Sequence, residues 1–429
     1  MKCTSSEPNK EHRKIFVEIR RKKKMPQNGQ HQNDILYITQ PTRKILRALG
    51  AWPSISKGRS IYPKAHNLLL ICIAYALLSS DIIPGSLFWV MEKTTRIKLQ
   101  IIPALIYDFM SAIQYGIFIV RYDQVRRCLK HVEEDWKNIL SADVRNIMLR
   151  SGRTGKRLVT ICGAFMYSGA LTFRTILPLS MGKTVTDQNV TLRHLTLRHL
   201  ACPGYFFSLD VQVSPVYETV FIIQLLTSIV TVSIVTAACG LTAIFVMHAC
   251  GQLKILINLM KSLVQKQWLE EREVDKKLSE IVEHQIRVRK FLRLVQHTLQ
   301  EIYLMEILVN SITICILVYF MSMDWQNRNV TSVCSYMISI ANVTIHMFLF
   351  CYTGEQLTSQ AEKVAIASCE LEWYRLPDRR ARTVILLMIM SNAPTKISAG
   401  KFVDLSLKTF GDVVKTAGAY FNMLRNVIE

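Results

Sequence analysis

A chain of 429 residues, half of them hydrophobic, is long enough for two soluble domains, but its apolar residues gather in runs near twenty long that read as membrane spans. The formal net charge of +21 lies in the segments between those runs and not in one basic domain, which argues against a nucleic-acid partner and for orientation signals and contacts to anionic lipid. Eleven cysteines without a CxxC pair or ordered Cys/His spacing indicate neither a zinc site nor a redox motif, and no cofactor is expected.

The first sixty residues are polar and basic, with the run Arg20-Arg21-Lys22-Lys23-Lys24 and no apolar core of a cleavable signal peptide. Segment 1–64 is therefore expected in the cytosol, and the first span directs insertion. Seven spans are predicted: Ala65–Val90, Leu99–Val120, Leu158–Ser180, Val216–Met247, Ile302–Met323, Ser332–Tyr352 and Phe402–Leu424. The N-terminal segment and the second, fourth and sixth loops carry roughly five times as many Lys and Arg as the other loops and the tail. That bias predicts an all-α membrane protein of seven transmembrane helices, N-terminus cytosolic and C-terminus extracellular. The sequons at Asn189 and Asn329 both fall on the predicted outer side as glycosylation acceptors. Cys202 and Cys334 face the same side, where a disulfide between them could persist.

The chain thus divides into the cytosolic segment 1–64, spans one to four as a ligand-binding bundle (65–247), a cytosolic helical extension (248–301), spans five and six (302–352), a cytosolic segment (353–400) and the last span with a short outer tail (401–429). The fourth span is longer than a bilayer requires and continues at helical spacing through Leu253, Leu256, Leu259 and Met260. The mixed charges after it (Glu270, Glu271, Arg272, Glu273, Asp275, Lys276, Lys277) read as a cytosolic helix, either a solvated face or part of an assembly domain. Val384 to Met390 is too short to span and is expected to pack into the cytosolic part; Pro394 then breaks the chain and Gly400 permits a turn.

In the last span Asp404, Lys408, Asp412, Lys415, Asn422 and Asn426 recur at three, four or seven residues and fall along one helix face. Ionisable groups against lipid cost several kcal/mol each. The stripe is therefore expected to face water in a pore shared by several copies, with Asp412 and Lys415 lining it and Met423 and Val427 forming an apolar constriction. The competing reading is local pairing of Asp404 with Lys408 and Asp412 with Lys415.

The run from Pro394 to Phe402, then Leu405-Ser-Leu-Lys-Thr-Phe410 and Ala419-Tyr420-Phe421 before Leu424, resembles the C-terminal signature of insect odorant receptors. Gly354-Glu355-Gln356-Leu357 and Trp373-Tyr374-Arg375-Leu376-Pro377 are similar to the same pattern. The resemblance implies a heteromeric odorant-gated cation channel in the plasma membrane of olfactory sensory neuron dendrites, a tetramer in which a divergent subunit joins an odorant receptor co-receptor around a pore lined by the last helix. It also implies an intersubunit anchor built from the cytosolic ends of helices four to seven. Two departures are Ala419, where the family commonly has Ser or Thr, and the lack of the co-receptor's long insertion in the second cytosolic loop, which points to a tuning subunit.

By the same resemblance a small volatile or hydrocarbon ligand sits in the outer half of the bundle, with Tyr107, Met110, Tyr167, Phe173, Tyr217, Phe221, Tyr336 and Met337 as candidate contacts. Asp81, Asp108, Gln114 and Glu218 read as solvated helix ends, and His248 and His346 as isolated from any ligating partner, so no metal is assigned. The alternatives are an insect gustatory receptor channel, whose Thr-Tyr and Gln-Phe pattern is only partly echoed here, and a G-protein-coupled receptor. Against the latter, Arg121-Tyr122-Asp123 follows the second span and reads as a basic helix end. No His/Asp/Glu cluster, phosphate loop or paired broken helices point to an enzyme or transporter.

Overall fold

A computed structural model describes residues 27–428 apart from 54–60, 140, 177–199, 201, 207–210, 212, 266–270, 327, 329, 376 and 394–395. Within these the chain forms α1 (Gln27–Ala48), α2 (Ile61–Met91), α3 (Thr95–Val120), α4 (Tyr122–Lys137), α5 (Ala142–Leu171), a π turn (Thr172–Ile176), α6 (Val216–Gln265), α7 (Glu271–Gln326), α8 (Val330–Cys369), a 3-10 turn (Trp373–Arg375), α9 (Asp378–Asn392), the strands β1 (Ser398–Ala399) and β2 (Val403–Asp404), and α10 (Leu407–Ile428). This is an all-α membrane protein. Five helices, α2, α3, α6, α7 and α8, are long and apolar enough to cross a membrane.

Helix α6 lies at the centre. In its most apolar stretch 83% of residues are buried, against 22–44% for the other four. Its middle is rich in small side chains, and Ala237, Ala238, Ala243 and Ala249 have no exposed surface. Small residues let neighbouring backbones approach, which is what membrane helices use where lipid supplies no hydrophobic drive to associate. A Cβ at Gly240 would stand 2.3 Å from Thr42 Oγ1 on α1, and one at Gly155 of α5 would stand 3.2 Å from the Ala243 carbonyl.

Helix α1 is an element that hydrophobic periodicity in the polar N-terminal segment did not mark. It holds to the bundle through buried Leu46 and Ile38 and through a two-pronged ion pair from Arg145 of α5 to Asp34, at 2.7 and 3.0 Å. Tyr115 of α3 donates to the Leu49 carbonyl just beyond its end. Arg121 is more than a basic helix end: it stands at the α3–α4 junction and pairs with Glu301 of α7.

Three helices outrun a bilayer. At about 1.5 Å per residue, the 50, 56 and 40 residues of α6, α7 and α8 reach roughly 75, 84 and 60 Å, well beyond the ~30 Å hydrocarbon layer. The expected extension of the fourth span through Leu253, Leu256 and Met260 is present, with all three buried. The mixed-charge segment after residue 270 is the first part of α7, continuous with the next span. At this same end α9 contains the short apolar run, its start following Pro377 with Asp378 in the first turn. Gln285 of α7 donates to Ser391 of α9 at 2.8 Å, and Arg380 grips Asp275 at 2.7 and 3.0 Å.

The last span differs from expectation at its start. Instead of a helix from Phe402, the chain makes an antiparallel hairpin with Ser398 opposite Asp404, and α10 begins at Leu407. Its turn places both Gly400 (φ +57°) and Lys401 (φ +67°) in the left-handed region, matching the twist of a tight hairpin. Cys202 and Cys334 both carry free thiols, the first buried and the second exposed, so the outer disulfide is not formed. Both sequon asparagines, Asn189 and Asn329, lie outside the described residues.

At the join between the hairpin and α8 the backbones nearly touch: a Cβ at Gly354 would lie 2.2 Å from the Leu405 carbonyl oxygen and 2.9 Å from its carbon. Backbone cannot step aside as a flexible side chain can. Gly354→Ala should therefore lower stability by about 1–3 kcal/mol, whereas Gly411→Ala, with nothing within 4 Å of the new methyl, should gain up to about 1 kcal/mol of helix propensity. Thermal melting of the two variants in detergent, followed by size-exclusion fluorescence, measures both.

Candidate functional site

Two polar networks are sealed inside the bundle. The first centres on Arg174 in the π turn after α5. Its guanidinium donates to Asp81 of α2 at 3.1 Å and stands 3.6 Å from Asp108 of α3, while Thr231 of α6 donates to Asp108 at 2.9 Å. All three ionic residues are at most 6% exposed. Asp81 and Asp108, expected as solvated helix ends, are thus buried partners of a cation, and one oxygen of each carboxylate has no hydrogen-bond partner. The segment around Cys202 closes this end: Gln224 of α6 donates to the Cys202 carbonyl at 2.7 Å, and Tyr205 donates its backbone N–H to the Pro84 carbonyl at 3.0 Å.

The second network lies deeper. Glu306 of α7 accepts from Gln114 of α3 at 2.9 Å and from Asn310 at 3.1 Å, and His346 of α8 stands 3.6 Å from it. Tyr107 of α3 donates its hydroxyl to Asn310. Glu306, Asn310, Gln114 and His346 are all at most 1% exposed, and neither imidazole nitrogen of His346 has a hydrogen-bond partner. His346 is therefore not isolated, and Gln114 is not a solvated end. Glu306 went unmarked in the sequence, although a lone carboxylate inside an apolar span is itself the signal that a partner exists.

The candidate ligand residues separate. Met110 is buried on α3 and Tyr107, one turn before it, is half-buried. Tyr167 shares a 2.7 Å hydrogen bond with Ser233 of α6. Tyr217 and Phe221 stack half-buried at the start of α6, ring centroids 6.0 Å apart. Tyr336 belongs to another cluster, against Phe320 at 6.1 Å and accepting from Gln100 at 3.3 Å, while Met337 turns to the outer surface, 56% exposed. Phe173 lies in the π turn with its side chain outside the described residues. A further apolar groove of about 550 Å³, which sequence did not flag, runs between α3, α7 and α10, from Leu99 past Ile312, Cys315 and Tyr319 to Thr416.

Helix α10 docks by one side only. Leu405 just before it and Ala417 within it are buried, and Phe410 meets Phe348 of α8 edge-on at 5.5 Å. Lys408, Asp412, Lys415 and Asn422 are exposed, a polar face uncovered along the helix. Local pairing does not occupy it. Asp404 sits in the hairpin and pairs with Lys396 at 3.0 Å instead of Lys408, and Asp412 with Lys415 is not an ion pair among the described residues. The side chains of Met423, Asn426 and Val427 lie outside the described residues.

Outside the apolar part of the bundle, Asp135 of α4 meets His248 of α6 at 2.9 Å, His131 at 3.3 Å and Arg287 of α7 at 2.6 Å. Burial alone would raise the Asp135 carboxyl, but the two imidazoles more than offset it and hold it below the usual carboxylate range. His248, like His346, has a carboxylate partner that its sequence neighbourhood does not reveal.

The family profile described as 7tm Odorant receptor matches residues 99–418. Among curated relatives, Odorant receptor 13a of Drosophila melanogaster is 26% identical over 235 residues, 52% of this chain and 56% of that protein. Odorant receptor 33a of the same fly is 25% identical over 40% of this chain and 45% of its own length. The chain thus matches about half the length of these relatives. Among solved structures, the insect olfactory receptor OR5 from Machilis hrabei in complex with eugenol superposes with a TM-score of 0.74 at 17% identity, covering 92% of this chain and all of that one.

The Arg174 network makes a sharp prediction for folding. Arg174→Gln leaves two buried carboxylates facing each other, which should cost about 3–5 kcal/mol. Adding Asp81→Asn to that variant should recover a substantial part, and denaturation of the single and double variants in detergent reads the difference.

Proposed function

The chain belongs to the 7tm odorant receptor family, and from that premise we propose that it is the ligand-binding, tuning subunit of an odorant-gated, non-selective cation channel, assembled with an odorant receptor co-receptor. The observation that carries the reading is the uncovered polar face of α10. In lipid a Lys or Asp at mid-helix costs about 2.5–3.5 kcal/mol on insertion scales, so Asp412 and Lys415 require water or a partner. A ring of α10 helices supplies both. In this arrangement the N-terminus is cytosolic, the C-terminus extracellular, and α5 and α10 complete seven spans with the five apolar ones.

The long ends of α6, α7 and α8, together with α9, form the cytosolic anchor. There Ile385, Leu386 and Ile389 of α9 and Tyr374 before it are exposed, an apolar surface of the kind that an oligomer covers. The tetramer sits in the dendritic plasma membrane of an olfactory sensory neuron. Its ligand is a small volatile or hydrocarbon held near Tyr107, Met110 and Tyr167, where apolar walls give affinity and the hydroxyls fix orientation. Eugenol, bound by the Machilis hrabei receptor, belongs to the size class that such a bundle would take.

Whole-cell recording from cells expressing this chain with an insect co-receptor, G-protein signalling blocked, should show a current evoked by one member of a volatile panel, absent with the co-receptor alone. Asp412→Ala should change cation selectivity or conductance in that current, and Met423→Ala should raise leak. A pore indifferent to Asp412 would refute the assignment of α10, whereas silence despite surface expression would shift the reading toward an untested ligand or a gustatory receptor channel.

A further inference from the structure

The cluster around Asp135 contains more than an ion pair. His131 and Asp135 lie one turn apart on α4, and His248 and Gln252 lie one turn apart on the facing side of α6. Residues at i and i+4 share a helix face, so two adjacent helices present a His-x-x-x-Asp and a His-x-x-x-Gln pair to a single point. Around Asp135 Oδ2 stand His248 Nε2 at 2.9 Å, the Gln252 amide at 3.2 Å and His131 Nδ1 at 3.3 Å.

We propose that these four side chains form a site for a divalent transition-metal ion, zinc foremost, that ties α4 to α6 at the base of the bundle. Tetrahedral zinc with bonds of about 2.0–2.1 Å sets its ligand atoms roughly 3.3 Å apart. The three distances from Asp135 Oδ2 run from 2.9 to 3.3 Å, and the donor atoms of His131, Asp135 and His248 all lie within 4.8 Å of one another, close enough to converge on one ion after small rotations. His131 Nδ1, although 3.3 Å from the carboxylate, makes no hydrogen bond to it. That arrangement suits two ligands whose lone pairs aim at a common third point. The other carboxylate oxygen, Oδ1, is held by Arg287 at 2.6 Å, the kind of outer partner that leaves one oxygen free to ligate and fixes its direction. The Gln252 amide assignment follows the hydrogen-bond network; turned over, its carbonyl oxygen becomes the fourth donor.

Asp135 and His248 side chains are 6% and 3% exposed, whereas His131 retains 22% and borders solvent with its Nδ1 turned inward and buried. Imidazole and carboxylate donors suit zinc, copper(II) or nickel better than calcium or magnesium. The ion would be structural, three or four protein ligands joining helices that α7 also contacts through Arg287.

The test uses the untagged full-length chain in detergent, stripped with chelator and titrated with Co²⁺ alone. A tetrahedral site gives intense visible d–d absorption saturating at one ion per chain and abolished by Zn²⁺. His131→Gln, at a position that tolerates a polar side chain, should weaken binding by at least the roughly 10–100-fold that loss of an outer partner brings, whereas His66→Gln, exposed on α2, should not. Zn²⁺ should also raise the melting temperature of the unmutated chain, a readout that needs no variant. A pale octahedral spectrum, binding indifferent to His131→Gln, or a melting point indifferent to Zn²⁺ would each overturn the site.

Discussion

The fold depends on how closely α1 and α5 come to the backbone of α6. In a bilayer, lipid is as apolar as leucine, so helices gain by packing and hydrogen bonding instead of by leaving water. The alanines at 237, 238 and 243, with Gly240 against Thr42 and Gly155 against the Ala243 carbonyl, provide that packing. Side-chain positions along α6 are then locked in register with the surrounding helices. Gln224 meets the Cys202 segment, Thr231 meets Asp108, and His248 and Gln252 meet Asp135, all from this one helix.

The two sealed networks differ in how they are balanced. Around Arg174, two carboxylates share one guanidinium, and each has one oxygen without a hydrogen bond. Around Glu306, one carboxylate takes hydrogen bonds from two amides with an imidazole alongside. Buried polar groups of this kind seldom add net stability over well-packed hydrophobic ones. They do penalise any rotation of α3 against α6 or α7, because each slip leaves a charge without a partner in a low-dielectric interior. Tyr107 connects the deeper network to the face of α3 on which Met110 also lies.

Much of this was legible in the chain. The overlong fourth span, the helical charge-mixed segment before the fifth, the short helix at Val384–Met390 and the polar face of α10 all follow from periodicity and length, which are local properties. What stayed hidden was relational. Asp81, Asp108 and Arg174 lie 27 and 66 residues apart in sequence, and nothing in their neighbourhoods states that three helices will bring them together. His248 and His346 misled for the same reason, since their carboxylates sit on other helices. The hairpin before α10 escaped because two-residue strands carry no periodic signal, and α1 because its polar composition masks the few apolar residues that dock it.

The hairpin also determines how α10 can move. Gln296 of α7 donates to the Ser398 carbonyl at 2.6 Å, the Gly400 N–H reaches the Gln300 carbonyl at 3.1 Å, and Leu405 is pressed onto Gly354 of α8. One end of α10 is clamped to two neighbours, while beyond Gly411 most of its described side chains are exposed. A 22-residue helix is a lever arm of about 33 Å, so a tilt of only about 5° at the clamped base sweeps the free tip through about 3 Å, the scale of a dehydrated cation's diameter. In the proposed pore, angular play too small to disturb the packing at the fulcrum is thus amplified into a displacement that ions would feel at the far end.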